Sequence, residues 1–355
     1  MNEMLRDEIL DQPEAVRQTL PAVRSQLVGL RAEPARFARL IYTGSGDSYF
    51  APLAFEYAAR MLLKQAMRAL PAREAARYWR FTSDDMLIAI SISGEAACTI
   101  EAARVARASG AFVLAVTASP DSALARVSSA TLTLPFRSRS RQTPHTTDYL
   151  STLVAVAAHI EWAASRRVAE LDDLAEIVSR SAGRLEAESR RLAQELVAAG
   201  RFTFLAAGPN LANAGYAASK FYEAGGLPAF YFELEEFAHG PHLMVEAGDP
   251  VFILAPSGQS LKRAGVILDG LHQIQAIAVG IGDDPRAFAD APVLQTAALP
   301  EEWSPLVTCL PLQWLCWAVA TARGYDVLAK DGIHRNPAAY ESAHRAWVRA
   351  PAENL

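Results

Sequence analysis

Cysteine is scarce in this chain: three residues in 355, Cys98, Cys309 and Cys316. They are too few and too scattered for a disulfide framework, and their spacing matches no zinc site. Positive charge is not in excess either, with 34 Lys and Arg against 39 Asp and Glu and a net charge of -5. Nucleic acid rewards a basic face, so none is expected as a partner. An anionic metabolite is not excluded, because backbone N–H groups and hydroxyls can hold a phosphate without Lys or Arg. Long apolar runs are missing too. The longest, "LVTCLPLQWLCWAVATA", contains Pro311 and Gln313 and is short for a membrane span. Cys309 and Cys316 lie in it and are expected in a core. The opening "MNEMLRDEILDQ" is acidic and amphipathic, unlike a secretory signal. The expectation is a soluble, cytoplasmic protein with no membrane contact.

What is there is a pattern stated twice. Apolar residues make up 51% and charged residues 21%, ordinary for a globular protein, and the length suits two domains. Short apolar runs "RLIYTG" (39–44), "MLIAIS" (86–91), "AFVLAVT" (111–117) and "ATLTLP" (130–135) alternate with helical stretches such as "GEAACTIEAARVARASG" (94–110). Buried strands alternating with helices predict a parallel sheet in an α/β fold. A polar helical connector follows over 166–199, and then the pattern restarts. "RFTFLAAG" (201–208) answers "RLIYTGSG", "PVFILAPSGQS" (250–260) answers "MLIAISISGEA" (86–96), and "QAIAVGIG" (275–282) answers "AFVLAVTA". The expected layout is an N-terminal helical segment (1–35), one α/β domain (36–165), the connector, a second α/β domain (200–322) and a tail (323–355).

In parallel sheets ligands sit beyond the carboxyl ends of the strands. Two loops in the first half fit such a site. "TGSGDSY" (43–49) offers Ser45, Gly46 and Ser48, and "SISGE" (91–95) offers Ser91 and Ser93. Glycines allow close backbone approach, and hydroxyls with free helix N–H groups make an anion site. Either loop alone reads as ordinary turn and cap chemistry. In the second half, "SKFYEAGGLPAFYFELEEFAHGP" gathers Lys220, Glu223 and His239 within one short span.

These loops, the duplication and the lysine–x–x–glutamate helix followed by histidine–glycine–proline resemble the double sugar-isomerase (SIS) domain family. The resemblance covers roughly 35–345. Members it resembles include the isomerase half of glucosamine-6-phosphate synthase and the SIS-type hexosamine-phosphate deaminases and fructosamine-phosphate deglycases. It implies two tandem SIS domains, each a parallel-sheet α/β/α sandwich, and a sugar phosphate or aminosugar phosphate as substrate. It places the C1–C2 proton-transfer base at Glu223, with Lys220 orienting it or a substrate oxygen. His239 falls on the histidine that opens the sugar ring, which in the family reaches the neighbouring subunit's site, so a homodimer is implied. Phosphate would be held by Ser45, Gly46, Ser48, Ser91, Ser93, Thr146 and Thr147. No metal or organic cofactor is implied, since enediol chemistry runs on positioned acids and bases.

The chain also departs from the family. Ile92 stands where the family has glutamine, Ala96 and Asp47 where it has threonine, and Asp148 where it has lysine. The Schiff-base lysine of the synthase falls on Ala339, with Lys330, His334 and Arg335 nearby as candidate tail contacts. Glutamine-dependent amination is therefore not expected. Deamination or deglycation is favoured slightly over aldose–ketose isomerisation, and a non-catalytic sugar-phosphate-binding regulator is the alternative.

Overall fold

The computed structural model describes residues 2–136, 138–140, 143–328 and 337–349. Two compact units emerge from the chain. The first is built mainly on Glu14–Arg137 and Asp148–Asp172, the second on Met1–Pro13, Ser138–Thr147 and Asp173–Arg335. In chain order the first half carries α1 (Glu3–Leu10), α2 (Gln12–Val28), β1 (Arg39–Gly44), α3 (Asp47–Leu53), α4 (Glu56–Leu62), β2 (Ala66–Pro71), α5 (Ala72–Arg77), β3 (Asp85–Ile90), α6 (Ala97–Ala108), β4 (Phe112–Thr117), α7 (Ala123–Val127), β5 (Ala130–Thr133) and α8 (Thr147–Ala164). The second half carries α9 (Leu174–Leu196), β6 (Phe202–Ala206), α10 (Leu211–Gly225), β7 (Ala229–Glu233), α11 (Leu234–Ala238), β8 (Pro250–Leu254), α12 (Leu261–Gln273), β9 (Ile277–Gly282), β10 (Val293–Gln295), α13 (Pro305–Ala322) and α14 (Pro337–Arg349).

Each unit holds one five-stranded, wholly parallel sheet. The strand orders are β2-β1-β3-β4-β5 and β7-β6-β8-β9-β10. They are the same order, so the repetition seen in the sequence is a repetition of topology. Central strands are buried on both faces: every residue of β3 and of β8 is inaccessible. That is why they read as unbroken apolar runs rather than alternating ones.

Small residues let helices sit close to these sheets. Ala102, Ala103 and Ala106 of α6 pack on Ile41, Leu87 and Val113, while Ala264, Leu268 and Leu271 of α12 pack with Val251 and Ile253. In the second unit α13 is the central helix. By length and composition it is the one helix among the described residues able to cross a membrane, yet 89% of it is buried inside the protein. It packs against α9 and α10. Cys309 and Cys316 lie on it, buried as expected.

Within 166–199 the helix α9 starts at Leu174, after α8 has ended at Ala164 and Ser165 has taken φ 51°. The intervening chain is tied down instead, by Arg24 and Arg167 on Asp172 at 2.8 Å each and by Val168 N–H on Glu161. The edge strands β2 and β10 lack the apolar runs that mark the interior strands.

Candidate functional site

The first unit presents the two serine loops side by side. β1 and β3 are parallel neighbours, with Thr43 opposite Ala89, so their loops leave the same edge about 5 Å apart. Ser45 and Gly46 are exposed, and Ser48 lies in the first turn of α3. Ser91 Oγ accepts the N–H of Gly94 at 3.1 Å, and Ser93 Oγ accepts that of Glu95 at 3.2 Å. Each hydroxyl keeps its own proton to donate to a ligand. The loop is pinned from behind, since the carbonyl of Ile92 accepts both Ala118 N–H and Thr117 Oγ1. The N-cap residue of α6, Ala96, makes no side-chain cap, so the first N–H groups lack an intrahelical acceptor at that end. Asp47 opens α3, where a helix N-terminus tolerates negative charge.

In the second unit, α10 carries the lysine–glutamate pair. Lys220 is fully buried, yet its Nζ lies 2.6 Å from Oε2 of Glu223, whose side chain is 38% exposed. The helix is held against α13 by Asn213 on Pro305 O and Thr308, by Gln313 Nε2 on Tyr216 Oη, and by Cys316 Sγ on Lys220 O. It closes at Gly226 in the left-handed region, with Gly226 N–H on Tyr222 O and Leu227 N–H on Phe221 O. Glu223 therefore sits in the last turn, where the helix dipole disfavours a carboxylate by about 0.3–1 kcal/mol. A buried ammonium thus holds a partly exposed carboxylate against that field.

His239 stands at the end of α11. Buried Phe237 and Leu234 anchor this short helix, and the Glu233 carboxylate caps it by accepting the N–H groups of Glu235 and Glu236. The His239 ring is 70% exposed and lies 3.1 Å from Glu235, which also pairs with Arg263 at 2.7 Å. The ring of His242 lies edge-on to Phe237, in keeping with a structural place.

Glu223 and His239 belong to different elements, α10 and the end of α11. Glu223 lies about 18 Å along α10 from its start, beside the beginning of β7. His239 follows the far end of β7, a strand about 16 Å long. Thr146 and Thr147 are buried, and their hydroxyls go elsewhere: Thr146 Oγ1 and N–H donate to Glu8 Oε1, and Thr147 Oγ1 donates to Glu8 O. The buried Glu8 carboxylate thus caps α8, a role that nothing in its acidic, amphipathic surroundings signals. Lys330, His334 and Arg335 lie outside the described residues.

Residues 35–161 match the family model described as the SIS domain. The chain is 26% identical over 336 residues to the glutamine–fructose-6-phosphate aminotransferase (isomerizing) of Thermococcus kodakarensis, covering 90% of this chain and 55% of that protein. The chain thus spans about half the length of the curated relatives it matches. Among solved structures, the C-terminal domain of glucosamine-fructose-6-phosphate aminotransferase from Francisella tularensis superposes with a TM-score of 0.82 at 21% identity, over 92% of this chain and 98% of that one. Glucosamine-6-phosphate deaminase from Thermotoga maritima gives 0.76 at 19% identity, over 93% and 98%. At such identities these two likenesses speak for the fold.

Proposed function

The chain carries a SIS domain and is homologous to the isomerase domain of glucosamine-fructose-6-phosphate aminotransferases and to phosphosugar isomerases, and from that premise we propose that it is an enzyme acting on the open chain of a sugar phosphate or aminosugar phosphate. The observation that carries this reading is the Lys220–Glu223 pair. A buried cation holds a half-exposed carboxylate at the end of α10, against the helix dipole.

In the proposed reaction Glu223 removes a proton from the carbon beside the carbonyl or imine and returns it to the neighbouring carbon. Lys220 fixes the carboxylate's direction. The phosphate rests on Ser45, Gly46, Ser48, Ser91 and Ser93, with hydroxyl and N–H donors taking the place of basic side chains. Thr146 and Thr147 drop out of that set, because Glu8 takes their protons. His239, 70% exposed, acts as acid and base for ring opening in the site of a second copy. The reaction consumes no glutamine, since Ala339 stands where the resemblance puts the synthase's Schiff-base lysine. Deamination or deglycation then ranks ahead of simple isomerisation.

The test is release of ammonia or amine from aminosugars and ketosamines, each with and without a 6-phosphate. Release by the wild type that Glu223→Gln abolishes supports the reading, and a requirement for phosphate supports the serine loops. If neither release nor isomerisation occurs while the sugar phosphates still bind, the chain is a sugar-phosphate-binding regulator instead.

A further inference from the structure

The second sheet repeats the first, so it should repeat the anion loop as well. Counting from the ends of β3 and β8, Ser257, Gly258 and Gln259 correspond to Ser93, Gly94 and Glu95, and Ser260 to Ala96. The backbone and hydroxyl donors are present in both loops. What faces them differs.

In the second loop two of the chain's own carboxylates occupy the donors. Asp283, directly after β9, accepts Ser257 N–H at 2.6 Å and Ser257 Oγ at 2.7 Å. Glu301, which lies in the segment leading into α13, accepts Gln259 N–H at 2.7 Å, Ser260 N–H at 3.3 Å and Ser260 Oγ at 3.1 Å. The donors it takes lie at the start of the 13-residue helix α12. Glu301 also fills the space itself: a Cβ on Gly258 would lie 2.3 Å from Glu301 Cδ and 2.4 Å from its Oε2. In the first repeat the residue equivalent to Asp283 is Ala118, which has no acceptor side chain. Among the described residues, no carboxylate reaches Ser91 Oγ or Ser93 Oγ.

We infer that the second repeat contains an anion cradle filled by Glu301 and Asp283, so that each chain takes a single phosphate group, in the first repeat. Five donors converge on two internal carboxylates, which supply the negative charge that a phosphate would bring. Glu301 is therefore the residue that excludes a second ligand, and without it the cradle takes a phosphate-class anion. The part concerning the first repeat rests on the proposed phosphate site; the part concerning Glu301 does not.

The experiment is titration of the full chain with inorganic phosphate and with fructose 6-phosphate, together with thermal unfolding at rising phosphate. The wild type should bind one equivalent per chain, and Ser91→Ala/Ser93→Ala should bind none. Adding Glu301→Ala to that double variant should lower Tm without phosphate and restore a phosphate-dependent rise in Tm. That rise should weaken at least tenfold with Ser260→Ala. Two equivalents on the wild type would overturn the inference without recourse to any destabilised variant. So would a Glu301→Ala variant that gains no phosphate response. If the wild type binds nothing but Glu301→Ala gains a site, the phosphate reading of the first loop fails and the filled cradle stands.

Discussion

At the scale of single residues, the chemistry turns on how burial is compensated. Lys220 has no exposure, and Glu223 is its 2.6 Å partner. Glu223→Gln keeps an acceptor oxygen for Nζ and removes the base. It should cost about 1–3 kcal/mol, because the buried ammonium loses its counter-charge, while turnover falls about 10²–10⁴-fold. Glu223→Leu removes the acceptor too and should cost about 3–5 kcal/mol in urea unfolding. A larger stability loss for the glutamine variant than for the leucine variant would contradict this account. His159 behaves differently. It is fully buried, its Nδ1 is hydrogen-bonded to Tyr42 Oη at 2.5 Å, and burial lowers its pKa to about 3. The unfolded chain then binds a proton near pH 6.5 that the folded chain refuses. Stability should thus be full above about pH 6.5 and fall by about 1.4 kcal/mol for each pH unit below it. Urea unfolding at pH 5.0 and 7.5 should show this slope, and Tyr42→Phe/His159→Leu should flatten it by roughly that amount. An unchanged slope in the double variant would assign the acid sensitivity to other groups.

At the scale of elements, the interior strands are legible because both of their faces are buried. "MLIAIS" and "PVFIL" each lie in a strand with no accessible residue. The edge strand β2 alternates, exposing Ala66 and Arg68 while burying Met67 and Ala69, so "AMRALP" lacks an unbroken apolar run. β7 hides for a related reason: its Phe230 and Tyr231 are exposed, and its last residue caps the next helix. In the site, positions are legible but partners are not. Spacing marks Thr146 and Thr147 at a helix start, whereas their bonding to Glu8 depends on a residue some 138 positions away. The serine loop is legible in its glycine. Gly94 has φ +68°, and a Cβ there would lie 2.0 Å from Ser122 Oγ, the N-cap of α7. Gly94→Ala should therefore cost about 1–3 kcal/mol and displace the loop. Calorimetry should show at least a tenfold loss of sugar-phosphate affinity alongside the lower Tm. Full affinity in a folded variant would remove this loop from the phosphate site.

At the scale of the whole molecule, the separation of Glu223 from His239 becomes a prediction about assembly. Glu223 precedes β7 in the chain and His239 follows it, with that strand of about 16 Å between them. The proposed reaction takes the two groups from different copies of the chain. Two defective subunits can then repair each other. Homodimers of Glu223→Gln and of His239→Asn should each be inactive, since every site in them lacks one group. In a mixed dimer, the site built on the His239→Asn subunit's intact Glu223 receives the intact His239 of the Glu223→Gln subunit. Random 1:1 assembly makes half the dimers mixed, each with one complete site of two, so about a quarter of wild-type activity should return. Co-expression with two affinity tags, followed by assay of the doubly tagged species, measures this directly. Purified mixed dimers should show about half of wild-type activity with unchanged KM, because the surviving site is wild type in every contact. If mixed dimers stay inactive, each chain uses its own histidine or none, and the exposed ring on Glu235 is a surface contact with no catalytic part.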